Sequence, residues 1–96
     1  MNAETKFQKD VKDAIKDRFP NSEILKQNNG KQGIPDLIIL NGKKWAALEC
    51  KKSKEAHHQP NQDNYISKFN KMSYASFIFP ENKEEVLNEI FKALEP

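Results

Sequence analysis

One cysteine, one arginine, one tryptophan and three glycines in 96 residues rule out several kinds of protein at once. Cys50 alone cannot form an intramolecular disulfide framework. With only His57 and His58 as further soft ligands, the residues also argue against a four-ligand structural zinc site. A bound metal is therefore expected to be hard and oxygen-liganded. No apolar run approaches the ~18–20 residues of a membrane span, and Met1-Asn2-Ala3-Glu4-Thr5-Lys6 lacks the basic-then-apolar order of a signal peptide. A cytoplasmic protein with no membrane partner is the expectation, in a bacterial cell or an infected host. Repeats, low-complexity runs and Pro/Gly/Ser-rich linkers are absent too, so residues 1–96 read as a single domain.

What is present is an ordinary globular composition, 36% apolar and 31% charged, whose formal charge of +2 hides an uneven distribution. Residues 1–25 are neutral, residues 26–71 carry nine Lys against four acids, and residues 72–96 carry two Lys against five acids. A basic middle beside an acidic tail is the footprint of a polyanion partner, although a solvated lysine face would look the same. Fifteen of the sixteen basic residues are Lys. Arg reads guanine edges bidentately whereas Lys acts as a point charge, so contacts to a phosphate backbone are expected rather than base reading.

Periodicity predicts the order α-β-β-β-α-β-α. Phe7, Val11, Ala14 and Ile15 set a helix over about Ala3 to Arg18, stopped by Pro20. Ser22 to Gln27 is a weak strand, Asn28-Asn29-Gly30 with Gly33 a turn, and Ile34 to Leu40 a strand. Asn41-Gly42 signals a hairpin returning through Trp45 to Lys51. After a polar loop, Tyr65, Ile66, Phe69 and Met72 stripe a helix over Asn61 to Met72; Tyr74 to Phe79 is a short strand. Asn82 followed by Glu85 resembles a capping pair opening a last helix with Val86, Leu87, Ile90, Phe91 and Leu94 on one face. Leu37, Ile38, Ile39 and Leu40 are apolar on both strand faces, which predicts an α/β fold whose central mixed sheet is flanked by helices on both sides.

The hairpin also acts as a ruler. A two-residue Asn41-Gly42 loop places Asp36 opposite Ala47, with Glu49 two residues further along the same face; a four-residue loop ending at Lys44 places Asp36 opposite Glu49. A three-residue loop would separate them unless a bulge intervened. Either even register puts two carboxylates on one face at about 5 to 8 Å, with Lys51 joining them. Buried carboxylates need partners, and Mg2+ takes one or two of them while keeping waters and binding phosphate oxygens. The competing reading is that Asp36 caps a strand and Glu49 pairs with Lys51 or Lys52 at the surface.

Gly33-Ile34-Pro35-Asp36, an apolar strand, a turn, and Glu49-Cys50-Lys51 together resemble the PD-(D/E)xK nuclease superfamily. With Gln59-Pro60-Asn61-Gln62 following, residues 4 to 79 look most like the stand-alone virus-type VRR-NUC branch and the Holliday junction resolvase-like nucleases. The resemblance implies a single restriction-endonuclease-like domain and a Mg2+-dependent DNA endonuclease in which Mn2+ can substitute, with no small-molecule cofactor. Asp36, Glu49 and the Cys50 backbone carbonyl would ligate the metal, and Lys51 would position the attacking water and offset the phosphorane's charge. Gln62, on the Tyr65 and Ile66 stripe, would touch the metal-bound water or the scissile phosphate. Glu4, extending the Phe7 and Val11 stripe, would be an additional acid, though a first-turn acid favoured by the helix dipole would look alike.

The arginines that the family often carries near Lys26-Gln27-Asn28-Asn29 are missing, leaving phosphate there to Lys26 and Lys31. Lys43, Lys44, Lys52, Lys54, Lys68 and Lys71 are further candidate DNA contacts. His57 and His58 fit a solvated loop, with DNA contact or support of the site as the alternative. One site cuts one strand, and the last helix is strongly apolar, so a homodimer is expected. A structure-selective endonuclease for four-way junctions or flaps, in phage, viral or bacterial DNA processing, is the leading reading. The competing readings are a nucleic-acid-binding module of the same fold that cuts nothing, and an interaction protein that docks through its acidic last helix.

Overall fold

The computed structural model describes residues 2–27 and 32–96. Lys31 and the turn expected at Asn28, Asn29 and Gly30 lie outside them. The elements follow in the order α1 (Ala3–Arg18), β1 (Glu23–Lys26), β2 (Leu37–Asn41), β3 (Lys44–Cys50), α2 (Gln62–Met72), β4 (Tyr74–Ile78), a 3-10 turn (Pro80–Asn82) and α3 (Lys83–Leu94). Helix α1 begins where the Asn2 side chain accepts the Thr5 N–H at 2.8 Å, satisfying a donor with no intrahelical partner. It ends at Phe19, before Pro20.

The four strands form one mixed sheet in the order β1-β2-β3-β4, antiparallel except for the parallel β3–β4 pair. Leu40 pairs with Trp45 and Asn41 with Lys44, so the hairpin loop is Gly42-Lys43, one residue later than the Asn-Gly signal suggests. Gly42 has φ +63° and Lys43 does not have a positive φ. That matches a turn needing glycine only at its first position, whereas an Asn-Gly turn needs positive φ at both. Strand β2 starts at Leu37 rather than Ile34, because Gly33 at φ +95° and Pro35 bend the chain before Asp36.

One sheet face packs against α1 and α3. Phe7, Val11, Ile15 and Phe19 meet Leu37, Ile39, Ala46, Leu48, Cys50 and Ile78 from the sheet, with Val86, Leu87, Ile90 and Leu94 from α3. The apolar stripe of α3 is thus turned into the core and is not a free surface for a second copy. Asn82 does not cap α3 with its side chain. It closes the 3-10 turn, accepting the Phe79 N–H at 2.9 Å and donating to the Phe77 carbonyl at 3.2 Å. With Asn70 Oδ1 accepting the Ala75 N–H at 3.1 Å, two side-chain amides occupy backbone groups of the edge strand β4 and blunt it against strand addition.

Helix α2 covers the other face, with Phe69 against Trp45 edge-to-face at 5.9 Å. Helices thus lie on both sides of the sheet, as expected, but α2 covers β3 and does not reach over β2. An 11-residue helix about 10 Å wide spans two strands at about 4.8 Å spacing, not three. It lies over β3 and β4, leaving Leu25 and Leu40 exposed and Ile38 half-buried.

Candidate active site

The register that pairs Leu37 with Leu48 carries one residue further to set Asp36 opposite Glu49. The pairing is cemented both ways: the Asp36 N–H donates to Glu49 Oε1 at 3.2 Å, and the Cys50 N–H donates to Asp36 Oδ2 at 3.1 Å. Alternation then turns Glu49 and Lys51 toward α2 and buries Cys50 in the core opposite. Burial and the neighbouring carboxylates push the Cys50 thiol far up, so it is an inert core group and no nucleophile.

Gln62 opens α2 with its side chain buried against this face. Its Nε2 donates to Glu49 Oε2 at 3.0 Å, while its Oε1 accepts the Gln59 N–H at 2.8 Å. The Lys51 ammonium stands 3.9 Å from Glu49 Oε2 and donates to the His57 carbonyl at 3.0 Å. Asp36, Glu49, Lys51 and Gln62 are thus brought together from two strands and a helix start. Glu49, Lys51 and Gln62 are 4%, 6% and 7% exposed, which makes the cluster part of the interior rather than a surface ion pair. That removes the reading of Glu49 as a solvated partner of Lys51 or Lys52.

Glu4 stays exposed on the first turn of α1. It shares with Gln8, Lys26 and Asp36 the lining of a cleft of about 280 Å³ that opens beside Asp36. Gln8, whose side chain is buried there, is a site residue that the motif does not point to; its i+4 spacing from Glu4 is the one signal of it in the sequence. Gly33, one glycine of a short motif in the sequence, sets the site's width in the fold. A Cβ on it would lie 2.8 Å from both the carbonyl carbon and the Cβ of Asn61, just before Gln62.

The lysines divide by position. Lys26 borders the cleft, and exposed Lys52 and Lys54 follow β3 on leaving the site. Lys68 and Lys71 lie on the exposed side of α2. Lys43 and Lys44 sit at the hairpin tip, about 17 Å or more along β2 from Asp36 at ~3.4 Å per residue. Lys44 is occupied there by the Glu95 carbonyl.

No family model, curated protein or solved structure matches the chain. What the site can do therefore rests on its own chemistry. Burial first, and then the Asp36 carboxylate, push Glu49 up to about 8, with Lys51 pulling partly the other way. Burial raises Asp36 as well, offset in part by the Cys50 N–H. Lys51, and Lys26 from the cleft edge, offset the crowding of the two carboxylates only in part, so the metal-free site retains a proton near neutrality. Hard oxygen donors in this arrangement suit Mg2+ or Mn2+, which keep several waters and need only one or two carboxylates. No cluster of three or more His, Cys, Asp or Glu side chains occurs among the described residues, which argues against a closed, all-protein metal cage.

The raised carboxyl has a consequence for stability. Glu49 binds its proton more tightly folded than unfolded, so its contribution is fully present below the ordinary carboxylate range and is lost as pH rises through about 8. The metal-free protein is expected to melt about 5 °C or more lower at pH 9 than at pH 6.5, the shift produced by roughly 1 kcal/mol in a domain this size. Thermal melts in EDTA check this; a flat profile would show that the pair is ionised at both pH values.

Proposed function

We propose that the chain is a metal-dependent endonuclease of the PD-(D/E)xK type, built on a restriction-endonuclease-like core. The observation that carries this reading is the Asp36–Glu49 pair: Glu49 is buried and joined by Lys51 and Gln62, and half-buried Asp36 lines a cleft that Lys26 borders. Lys51 stands beside two carboxylates and exposed Lys26 acts on Asp36 from the cleft edge, so a divalent cation would relieve the repulsion that raises Glu49. Asp36 and Glu49 would hold Mg2+ or Mn2+ with the Cys50 carbonyl; Glu4 lines the same cleft as Asp36 but stands outside that ligand set. The metal would supply a water of lowered pKa and charge stabilisation for a phosphodiester's oxygens.

The side chains divide the remaining work. Lys51, buried and held by the His57 carbonyl, would place its ammonium beside Glu49 to offset negative charge on the phosphoryl oxygens in the transition state. Gln62 offers an amide held at both ends, so it orients what it touches without reorganising. Lys26, Lys52 and Lys54 grip backbone phosphate around the cleft, and Lys68 and Lys71 extend that grip along α2. With a single Arg among these 96 residues to read base edges, specificity would come from DNA shape, such as a four-way junction or flap. Two cuts require two copies, so a homodimer is part of the proposal, its contact lying elsewhere than on the α3 stripe.

Labelled four-way junction, flap, linear duplex and single-stranded DNA, each with Mg2+, Mn2+ or EDTA, test the reading. Metal-dependent cleavage of a branched substrate is expected. Binding without cleavage of any substrate would favour a non-catalytic nucleic-acid-binding module of the same fold. Among the lysines, Lys26→Ala is expected to lower the slope of log affinity against log salt by about 1, and Lys44→Ala to leave it unchanged. Titrations between low and moderate salt check this, and the reverse result would move the DNA path to the hairpin tip.

A further inference from the structure

The segment between β3 and α2 has no long regular element, yet it fixes two functional side chains. Its His57 carbonyl accepts from Lys51 Nζ, and its Gln59 N–H orients the Gln62 amide. Between these two contacts stands His58. Its ring stacks on Phe77 with centroids 4.1 Å apart and planes 16° from parallel, and its Nδ1 meets Asp63 Oδ1 at 2.9 Å. Because an ionised carboxylate only accepts, Nδ1 carries the hydrogen. Phe77 is the register partner of Glu49 across β3–β4, and Asp63 directly follows Gln62. One imidazole is thus fastened to the strand beside Glu49 and to the helix turn that bears Gln62.

We propose that His58 is a positioning residue, a clasp that sets the His57–Gln59 strap so that Lys51 and Gln62 point at Glu49. It touches neither metal nor DNA. The stack on Phe77 is its main hold, since the Asp63 side chain is 73% exposed and a bond there competes with water. Asp36 and Glu49 take their places from the sheet register and do not need the strap. Loss of His58 therefore slackens Lys51 and Gln62 while leaving the two carboxylates in place. The kinetic consequence rests on the nuclease reading; the structural one stands apart from it.

Two measurements test the clasp. His58→Ala is expected to lower kcat about 10- to 100-fold, the usual effect of removing a group that orients site residues, with DNA and Mn2+ affinities within about threefold of wild type. His58→Phe keeps a ring on Phe77 and is expected to recover most of the rate. In the metal-free protein, 15N spectra of His58→Ala should show the Gln59 backbone amide and the Gln62 side-chain amide moving toward random-coil positions and exchanging faster, with both retained in His58→Phe. Unmoved Gln59 and Gln62 signals would overturn the proposal. So would a His58→Ala protein that loses DNA affinity and keeps kcat, because His58 would then be a DNA contact. If the wild type cleaves nothing, the nuclease reading fails and the spectra alone decide the clasp. If His58→Ala does not fold, His58→Gln, which removes the ring from Phe77 but keeps a donor toward Asp63, is expected to shift the same two signals, and no shift in it overturns the proposal.

Discussion

Glu49→Gln is expected to abolish metal-dependent cleavage, by roughly 10³-fold or more, and yet to stabilise the metal-free protein at high pH. The physical reason is that the wild-type site keeps two desolvated carboxylates together, and burial and Asp36 push Glu49 up to about 8. At pH 9 both groups ionise in the folded protein, and a neutral amide removes that repulsion. At pH 6 the balance reverses. Glu49 is then protonated, and Gln brings only one acceptor oxygen to a place where two are used, by the Asp36 N–H and by the Gln62 amide. One hydrogen bond is lost, at about 1 kcal/mol. The melting temperatures of variant and wild type are therefore expected to cross between pH 6 and pH 9 in EDTA. Saturating Mg2+ should raise the wild type at pH 9 and leave Glu49→Gln unmoved, since ligand binding stabilises only the protein that binds it. A variant that melts below wild type at both pH values would show that Glu49 is an ordinary structural carboxylate satisfied by Lys51 and Gln62.

Gly33→Ala carries the second large effect, through two separate penalties. At φ +95° a side chain is strained wherever it points, at about 1 to 3 kcal/mol. The new Cβ would also lie 2.8 Å from the carbonyl carbon and Cβ of Asn61 and 2.9 Å from the Pro60 carbonyl oxygen, so the start of α2 must move. Together these are expected to lower stability by about 2 to 4 kcal/mol and the melting temperature by about 10 °C or more. Because Gln62 rides on that helix start, kcat is expected to fall further than the unfolded fraction accounts for at temperatures well below melting. Gly42→Ala is the control. Gly42 also has positive φ, at +63°, but a Cβ there meets nothing within 4 Å, so a loss of only about 1 kcal/mol and an unchanged kcat are expected. Full activity in folded Gly33→Ala would show that Gln62 tolerates displacement.

Most of the element order is legible in the chain itself because the helices and inner strands are written as periodic apolar residues. Val11 and Ile15 on α1, and Leu37 and Ile39 on β2, are fully buried as their spacing implies. The joint placement of Asp36 and Glu49 is legible for a related reason: in a hairpin with an even loop, parity alone puts both on one face. Which of the two even registers forms is not: the sheet takes the register expected of the four-residue loop, with Leu40 opposite Trp45, and closes it further by pairing Asn41 with Lys44 around Gly42-Lys43. The capping role expected of Asn82 fails for the opposite reason. A motif of two residues three apart cannot report that a preceding strand has a carbonyl and the turn an N–H within reach of the same amide.

The sequence by itself determined the α/β order of elements, the charge division that marks residues 26–71 as basic, and, for any even hairpin loop, the facing of Asp36, Glu49 and Lys51. These follow from local spacing and composition, which a linear chain displays. Only the tertiary structure decided that Glu49, Lys51 and Gln62 are buried together, that Gln62 is held at both ends, that the α3 stripe belongs to the core, that Gly33 lies against the residue before Gln62, and that His58 stacks on Phe77. Each of those depends on contacts between segments distant in the chain or on the room left between them. Burial and close approach are properties of packed surfaces, and no spacing of residues along one strand or helix encodes what will be pressed against it.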